Sequence, residues 1–289
     1  MPVEIKKTHV SDKHLGIINA VLPYNSYSTP AVLGEDGIYL NGRTFTVLET
    51  NEAELVDYQR NGSNTITSLK ADETSYVLDI EKYWGLQIDD LDVQDINTEV
   101  EQYQVAKQTN KVVAPYLDKI RFATLIGNAP KSVIPVADKE YDAVLDASIE
   151  LDEISANERR ILFVTPTFYK GIKKNIVNLP QGDTSGDALF KGVVGELDGA
   201  LVIKVPNKIL NTGTNEVSAI LTVENALVSP VQVDKFESGR NGAGKFGVYM
   251  QQLLYTGAFV LQASQPKIVT ISKKVPTAKK SGTPVTPKA

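Results

Sequence analysis

Residues 76–127 read YVLDIEKYWGLQIDDLDVQDINTEVEQYQVAKQTNKVVAPYLDKIRFATLIG, and this stretch determines the predicted fold. It begins with the β-rich run Tyr76–Ile80 and continues through Glu81–Ile88. An acidic cluster and a segment with helical spacing follow. The pattern therefore predicts a strand that leads through an acidic turn into a long helix.

The helix is predicted from Asp95 to Ile126. Asp95 suits an N-cap position, and Gly127 suits a helix end. Pro115 removes one backbone hydrogen bond, so we expect a kink near Val112. The residues expected to face inward recur at helical spacing: Ile96, Val100, Tyr103, Val113, Leu117, Ile120 and Thr124.

Composition excludes several classes of function. With 42% hydrophobic residues in 289, the chain can bury a sizeable core in one or two domains. The net charge is −5 and no dense basic patch is present, which argues against dedicated nucleic-acid binding. The absence of cysteine excludes disulfides and thiolate metal sites. Without a signal peptide or membrane-spanning run, we expect a protein made in a cytoplasm with no membrane partner.

The first third is predicted to be extended. Residues 1–37 read as an arm, and a hairpin follows in which Ile38–Leu40 and Thr44–Leu48 are joined through Asn41-Gly42. Residues 45–88 read as a long two-stranded excursion with a polar tip. Because isolated two-stranded ribbons are marginal in water, a neighbouring subunit is the expected support.

The middle and last thirds differ in pattern. A compact α/β unit is predicted over about 130–215, with helix Glu140–Ser155, strand Arg160–Val164 and a helix started by Thr165-Pro166. The last third returns to strands, although Val248–Gln252 also fits a helix. From Lys273 onward the composition predicts a mobile tail.

Catalytic and ligand-binding motifs have no support. The run Gly239–Lys245 fits the first seven positions of a phosphate-binding loop, but Phe246 stands where a hydroxyl is needed for magnesium. His9 and His14 are the only histidines, and no third metal ligand is evident. We therefore expect no enzyme activity, no cofactor and no metal.

The order and spacing of these pieces resemble the major capsid proteins of tailed phages with the Hong Kong 97 fold. The resemblance covers about residues 38–270. It rests on the runs Asp57–Gly62, Thr74–Ile80, Trp84–Asp92 and Val113–Asp118, and on the later segments Ile161–Pro166, Gly195–Pro206 and Ala219–Val233. The family usually has a Glu-Thr pair at the helix start, where this chain has Gln94-Asp95.

The resemblance implies an α+β fold in five parts. These are an N-terminal arm (1–37), an extended β-hairpin loop (38–90), a peripheral domain with the long spine helix (91–129 and 217–272), an axial α/β domain (130–216) and a flexible C-terminal tail (273–289). The short arm leaves no room for a scaffolding segment, so we expect such a segment to be cleaved or supplied by a separate protein.

The function implied is a major capsid protein that self-assembles, as hexamers and pentamers, into an icosahedral phage head. Its implied partners are further copies of itself, a scaffolding protein, a portal and packaged DNA that is enclosed without sequence-specific binding. It would act in the virion capsid after assembly in the host bacterial cytoplasm. The alternatives are an encapsulin-type compartment shell, a phage tail or decoration protein, and a nucleotide-binding enzyme.

The residues predicted to form contacts between subunits are aromatic or charged and lie in the loop or at its base. They are Tyr58, Arg60, Tyr76, Tyr83, Trp84, Asp89 and Asp92.

Overall fold

The computed structural model describes thirteen segments of the chain. They are residues 26–33, 38–41, 44–50, 57–58, 60, 62, 71–89, 100–136, 139–154, 156–175, 193–211, 216–240 and 247–272. The predicted tail, His9, His14, Asp92 and the acidic helix start lie outside these residues.

Helices and strands alternate along the chain. The helices are α1 Val100–Gln108, α2 Ala114–Asn128, α3 Glu140–Glu153, α4 Pro166–Asn175 and α5 Asn207–Leu210, with 3₁₀ turns at Thr29–Ala31 and Gln262–Lys267. The strands are β1 Ile38–Asn41, β2 Thr44–Thr50, β3 Ala71–Val77, β4 Ile80–Ile88, β5 Lys131–Val133, β6 Arg160–Val164, β7 Val193–Leu197, β8 Ala200–Lys204, β9 Val217–Val223, β10 Leu227–Val228, β11 Val231–Arg240, β12 Val248–Thr256, β13 Phe259–Val260 and β14 Val269–Ser272.

The predicted long helix is present as α1 and α2, joined by a π turn at Thr109–Val113. We call Val100–Asn128 the spine helix. Pro115 lies in the first turn of α2, and the Ala114 N–H donates to the Thr109 carbonyl, five residues back. A π turn therefore occupies the place where a kink near Val112 is predicted, and such turns are often found inside α-helices.

The buried face of the spine helix differs in part from the predicted stripe. Val113 and Leu117 are buried as expected, but Tyr103 is 65% exposed and Val105 is buried in its place. A π turn contains more residues than an α turn, so one constant spacing cannot describe the helix on both sides of it. Beyond the turn, the inward positions also include two charged residues, Asp118 and Arg121.

The predicted hairpin is confirmed, but it belongs to three strands. β1 pairs with β2 and β2 pairs with β3, both antiparallel, with Ile38 opposite Val47 and Thr44 opposite Val77. We call β1–β3 the ribbon. The predicted strand Tyr76–Ile80 is interrupted at Leu78 and Asp79, so that β3 stays in the ribbon while β4 enters a different sheet.

That second sheet has the order β11-β12-β4 and is antiparallel. We call it the spine sheet because it lies on the spine helix. Its inner side chains pack against Val105, Val113 and Leu117: they are Trp84, Leu86, Ile88, Met250 and Leu254. The alternative helix at Val248–Gln252 is wrong, because these residues pair along their full length with β4 and β11.

The largest sheet has six strands in the order β5-β14-β9-β6-β8-β7. Its pairings are mixed, with β5 parallel to β14 and β6 parallel to β8. β7 and β8 form a hairpin through Asp198 and Gly199, whose φ values of 50° and 71° suit a tight turn between strands. A further two-stranded sheet pairs β10 with β13.

Both faces of the six-stranded sheet are covered. Helices α3 and α4 lie on one face through Val144, Leu151, Phe168 and Ile172. The end of the spine helix lies on the other, where Phe122 meets Phe163 edge-on at a centroid distance of 5.0 Å. The spine helix therefore supports the spine sheet with its first half and the six-stranded sheet with its second.

Candidate assembly surfaces

A buried polar cluster joins the segment before the ribbon to the spine helix. Asp118, only 1% exposed, accepts hydrogen bonds from the hydroxyls of Ser26 and Ser28 at 2.6 and 2.7 Å. It also accepts from the backbone N–H groups of Tyr27 and Ser28, both at 3.1 Å. Four donors around one carboxylate compensate for its loss of water.

Arg121, one helical turn further on, completes this cluster. Its Nε donates to the Ser229 hydroxyl at 2.9 Å and its Nη1 to the Ser26 hydroxyl at 3.1 Å. Burial lowers the pKa of Arg121 to about 10, although the nearby Asp118 charge acts in the opposite direction. The guanidinium is therefore still protonated at neutral pH. We call Ser26, Ser28, Asp118, Arg121 and Ser229 the arm anchor.

Apolar contacts continue the attachment beyond the arm anchor. Pro30 and Ala31 are buried, and Ala31 packs with Phe122 and Leu227 in the core beside the spine helix. The Leu33 N–H donates to the Leu227 carbonyl at 2.7 Å. The arm is therefore fixed to the body over Ser26–Leu33, next to the start of the ribbon.

The ribbon has its own apolar root. Tyr76 lies on the Phe259 ring at 4.9 Å between centroids, and Leu78, the first residue after β3, is 1% exposed. Leu78 packs with Val228 and Tyr255. Because Leu78 is buried where β3 ends, the chain is held between the ribbon and the spine sheet.

The outer face of the spine sheet is polar and aromatic. Glu237 accepts hydrogen bonds from the Tyr249 hydroxyl at 3.1 Å and from Gln251 Nε2 at 2.6 Å. The Tyr83 hydroxyl donates to Gln251 Oε1 at 3.2 Å, which extends the network to β4. The hydrogen bond to Glu237 raises the pKa of Tyr249. The network joins all three strands on their exposed side.

The predicted contact residues fall into two groups. Tyr58, Arg60, Tyr83 and Asp89 are exposed, with Tyr58 at 77% and Tyr83 at 64%. Asp92 lies outside the described residues.

Tyr76 and Trp84 form the second group, because both have partners in their own subunit. Tyr76 packs on Phe259, as described above. Trp84 Nε1 donates to Gln252 Oε1 at 2.6 Å, and its ring packs against Val113 and Leu117 of the spine helix. These two aromatic side chains support the ribbon root and the spine sheet.

Sequence patterns did not identify the arm anchor. Asp118 and Arg121 look like ordinary surface charges of a long helix, and their serine partners lie about a hundred positions away. The one available signal was that both charges fall at inward-facing helical positions next to Leu117 and Phe122.

The phosphate-loop hypothesis finds no support in the surrounding elements. Gly239 and Arg240 end β11, and residues 241–246 lie outside the described part. The segment that follows is the strand β12, whereas a phosphate loop leads into a helix N-terminus.

In the described residues, no helix is long and apolar enough to cross a membrane.

Comparison with known proteins gives matches at the level of structure. No family model and no curated protein sequence matches this chain. The capsid structure of cyanophage P-SCSP1u matches with a TM-score of 0.59 at 15% identity, over 80% of this chain and 84% of that chain. A structure from Mycobacterium phage Che8 matches with a TM-score of 0.56 at 20% identity, over 81% and 85%.

The chain has the Hong Kong 97 fold. This confirms the fold predicted from the sequence, including the long helix between an extended ribbon and an α/β unit. A virus-like particle from Pyrococcus furiosus matches with a TM-score of 0.52 at 13% identity, over 90% of this chain and 98% of that chain. The fold of this chain is thus similar both to a structure described as a phage capsid and to one described as a virus-like particle.

Proposed function

We propose that this chain is the major capsid protein of a tailed phage, which assembles as hexamers and pentamers into a closed icosahedral head. The observation that carries the proposal is the structural likeness to the capsid structure of cyanophage P-SCSP1u and to a structure from Mycobacterium phage Che8, over about four-fifths of this chain and of each matched chain. The protein acts as a structural element and not as an enzyme.

The construction of the subunit supports this proposal. Among the described residues, the strands of the ribbon pair with one another and not with strands of the body, and the ribbon is held to the body at its root, around Tyr76 and Leu78. Burial against a neighbouring subunit would stabilise such a ribbon. Tyr58, Arg60, Tyr83, Asp89 and Asp92 remain our proposed contacts with neighbours.

The partners follow from this role. Further copies of the chain form the shell, a scaffolding protein and a portal direct its assembly in the host bacterial cytoplasm, and the finished virion encloses DNA. The net charge of −5 is consistent with a shell that encloses DNA without binding it electrostatically over the whole inner surface.

Sedimentation velocity of the purified chain, alone and with a co-expressed scaffolding protein, tests the proposal. We expect a fast-sedimenting closed particle. A chain that stays a small oligomer in every condition, or that forms open tubes, would contradict it.

The alternative is a compartment shell of the encapsulin type, favoured by the 98% coverage of the virus-like particle from Pyrococcus furiosus. The two functions differ in contents. A phage head assembles with a portal and takes up DNA, whereas a compartment holds a protein cargo. Mass spectrometry and nucleic-acid staining of purified particles separate them.

A further inference from the structure

Two neighbouring helices of the six-stranded sheet carry opposite charges. Helix α3 has six acidic residues and no basic one: Glu140, Asp142, Asp146, Glu150, Asp152 and Glu153. Helix α4 has three lysines and no acidic residue: Lys170, Lys173 and Lys174. Acidic and basic side chains are thus separated on two neighbouring helices of one layer, in a chain whose net charge is −5.

The acidic side chains of α3 form a stripe that faces the β5 edge of the sheet. Asp142, Asp146, Glu150 and Glu153 recur along one side of the helix, and Glu150 forms an ion pair with Lys131 of β5. We call this side, together with Ile149, the acidic face. Ile149 lies within the stripe and is 53% exposed, although burial of an isoleucine side chain is energetically favourable.

The acidic face is only partly neutralised. Besides the Glu150 pair, Asp142 lies 3.8 Å from Lys139, and both of those side chains are largely exposed. Asp146 has no ion-pair partner among the described residues. The face therefore keeps a negative field around the exposed side chain of Ile149.

The basic side chains lie on the side of the sheet away from β5. Lys173 of α4 and Lys204 of β8 both approach the Tyr169 ring, with Nζ to centroid distances of 5.2 and 5.6 Å. Lys170 and Lys174 are exposed on the same helix as Lys173. We call these four lysines with Tyr169 the basic face. Within the described part of the chain, none of the four lysines is in an ion pair.

We propose that the acidic face of one copy of this chain docks on the basic face of the next copy, head to tail. The acidic face lies on the β5 side of the sheet and the basic face lies further toward β8, because α3 contacts β5, β14 and β9, whereas α4 contacts β9 and its Tyr169 reaches Lys204 of β8. One copy can therefore contact two neighbours at once. Head-to-tail contacts that close by rotation generate rings, and the hexamers and pentamers of the proposed function are such rings.

The chemistry of the faces fits this partner. Each exposed ion pair contributes little by itself, but opposed fields set the orientation of two subunits and raise their rate of encounter. Ile149 and the aliphatic stems of the lysines supply apolar area beside the charges. The inference rests on the proposed function for the shell, but the contact itself can be tested without a shell.

The test uses two charge-reversed variants of the full-length chain. In Lys173→Glu/Lys174→Glu the basic face loses two positive charges and gains two negative ones, and in Asp146→Lys/Glu153→Lys the acidic face undergoes the opposite change. We expect each variant alone to need a concentration about tenfold higher or more than the wild type for association, because the two faces no longer carry opposite net charge. An equimolar mixture is expected to associate at close to the wild-type concentration, since each variant again meets its complement.

Sedimentation velocity at low and high salt gives the readout, with Lys111→Glu/Lys119→Glu as the matched control on exposed spine-helix lysines. Circular dichroism of each unassociated variant establishes that it is folded. The proposal is overturned if the variants associate like the wild type, or if the mixture is no better than either alone. It is also overturned if Lys173→Glu/Lys174→Glu loses only binding to double-stranded DNA, which would make the basic face a nucleic-acid surface.

This design separates the two proposals. Wild-type chains that form head-to-tail oligomers but never a closed particle would contradict the shell function and leave the docking supported. Closed particles formed by both variants at wild-type concentrations would support the shell function and contradict the proposed docking.

Discussion

At the scale of single residues, the arm anchor combines two buried charges of the spine helix with partners from two distant parts of the chain. Asp118 and Arg121 share the hydroxyls of Ser26 and Ser28, and Arg121 also binds Ser229. Replacing one of the two charges leaves the other buried with its hydrogen bonds but without the nearby opposite charge. The cost is therefore larger than that of an exposed ion pair.

We expect Asp118→Asn to lower the free energy of unfolding of the unassembled subunit by about 3–5 kcal/mol, because Arg121 stays buried without its counter-charge. Urea denaturation measures this change, and hydrogen exchange at residues 26–31 should rise in the variant. Asp142→Asn, in an exposed pair on α3, serves as the control and should cost less than about 1 kcal/mol. Equal effects of the two substitutions would show that the arm anchor contributes little.

Tyr83 and Trp84 are neighbours on β4 with opposite roles. We expect Trp84→Phe to destabilise the subunit by about 1–3 kcal/mol, because the buried Gln252 Oε1 loses its donor. Tyr83→Ala should change the stability of the subunit by about 0.5 kcal/mol or less, since its side chain is mostly exposed.

If Tyr83 contacts a neighbouring subunit, Tyr83→Ala should impair assembly more than Trp84→Phe does, although it affects the stability of the free subunit less. In that case Tyr83→Ala raises the concentration at which particles form while thermal unfolding of the free subunit stays the same. Unchanged assembly by Tyr83→Ala would remove Tyr83 from the proposed contacts.

The hydrogen-bond partners of the arm-anchor charges could not be predicted from the sequence. A helical pattern locates apolar residues such as Leu117, but it cannot show that an aspartate at the next position meets two serines far away in the sequence. Tyr103 illustrates the opposite error. Its spacing fits the inward stripe, yet the π turn changes which residues face the spine sheet.

At the scale of elements, the close approach of two strands depends on glycine. Gly247, just before β12, has φ of +134°, and a Cβ there would lie 2.2 Å from the Ile88 carbonyl oxygen. Any other residue would strain the backbone and push β4 from β12 at the end of their pairing.

We therefore expect Gly247→Ala to lower the free energy of unfolding by about 1–3 kcal/mol, measured by urea denaturation. Gly127→Ala is the matched control, since it lies within α2 and a Cβ there would meet nothing within 4 Å. That substitution should stabilise the subunit by about 0.5 kcal/mol, because alanine favours a helix more than glycine does. A loss of stability in Gly127→Ala as large as that in Gly247→Ala would contradict this account.

Sequence patterns located most elements but not all of their partners. The helix expected over Glu140–Ser155 is present as Glu140–Glu153, and Pro166 starts α4 as expected. The run Tyr76–Ile80 looks like one strand, because alternation does not reveal that Leu78 is taken into the core between two sheets. The run Val248–Gln252 fits both a strand and a helix by pattern, because its pairing with β4 and β11 is a long-range property.

At the scale of the whole molecule, the spine helix fixes the relation between the other parts. The arm, the spine sheet and the six-stranded sheet all pack on it, through Asp118, Leu117 and Phe122 respectively. The order of these parts along the chain was sufficient to predict the Hong Kong 97 fold. The contacts between copies depend on surfaces that one chain does not define by pattern, so Tyr58, Arg60 and Asp92 stay predictions.

The contacts of the assembled molecule cannot be tested on a single subunit. We propose that a closed shell covers the ribbon and the two charged faces together, because each copy there has neighbours on several sides. A tube would also repeat head-to-tail contacts, so the form of the particle matters as much as its size.

Cryo-electron microscopy of the particles formed by the full-length chain, with and without a scaffolding protein, tests this most directly. We predict closed shells tens of nanometres across, built of pentamers and hexamers, in which the ribbon of each copy lies on a neighbour and α3 faces α4 of the next copy around each ring. Only monomers and small oligomers under all conditions, or open tubes, would contradict the account.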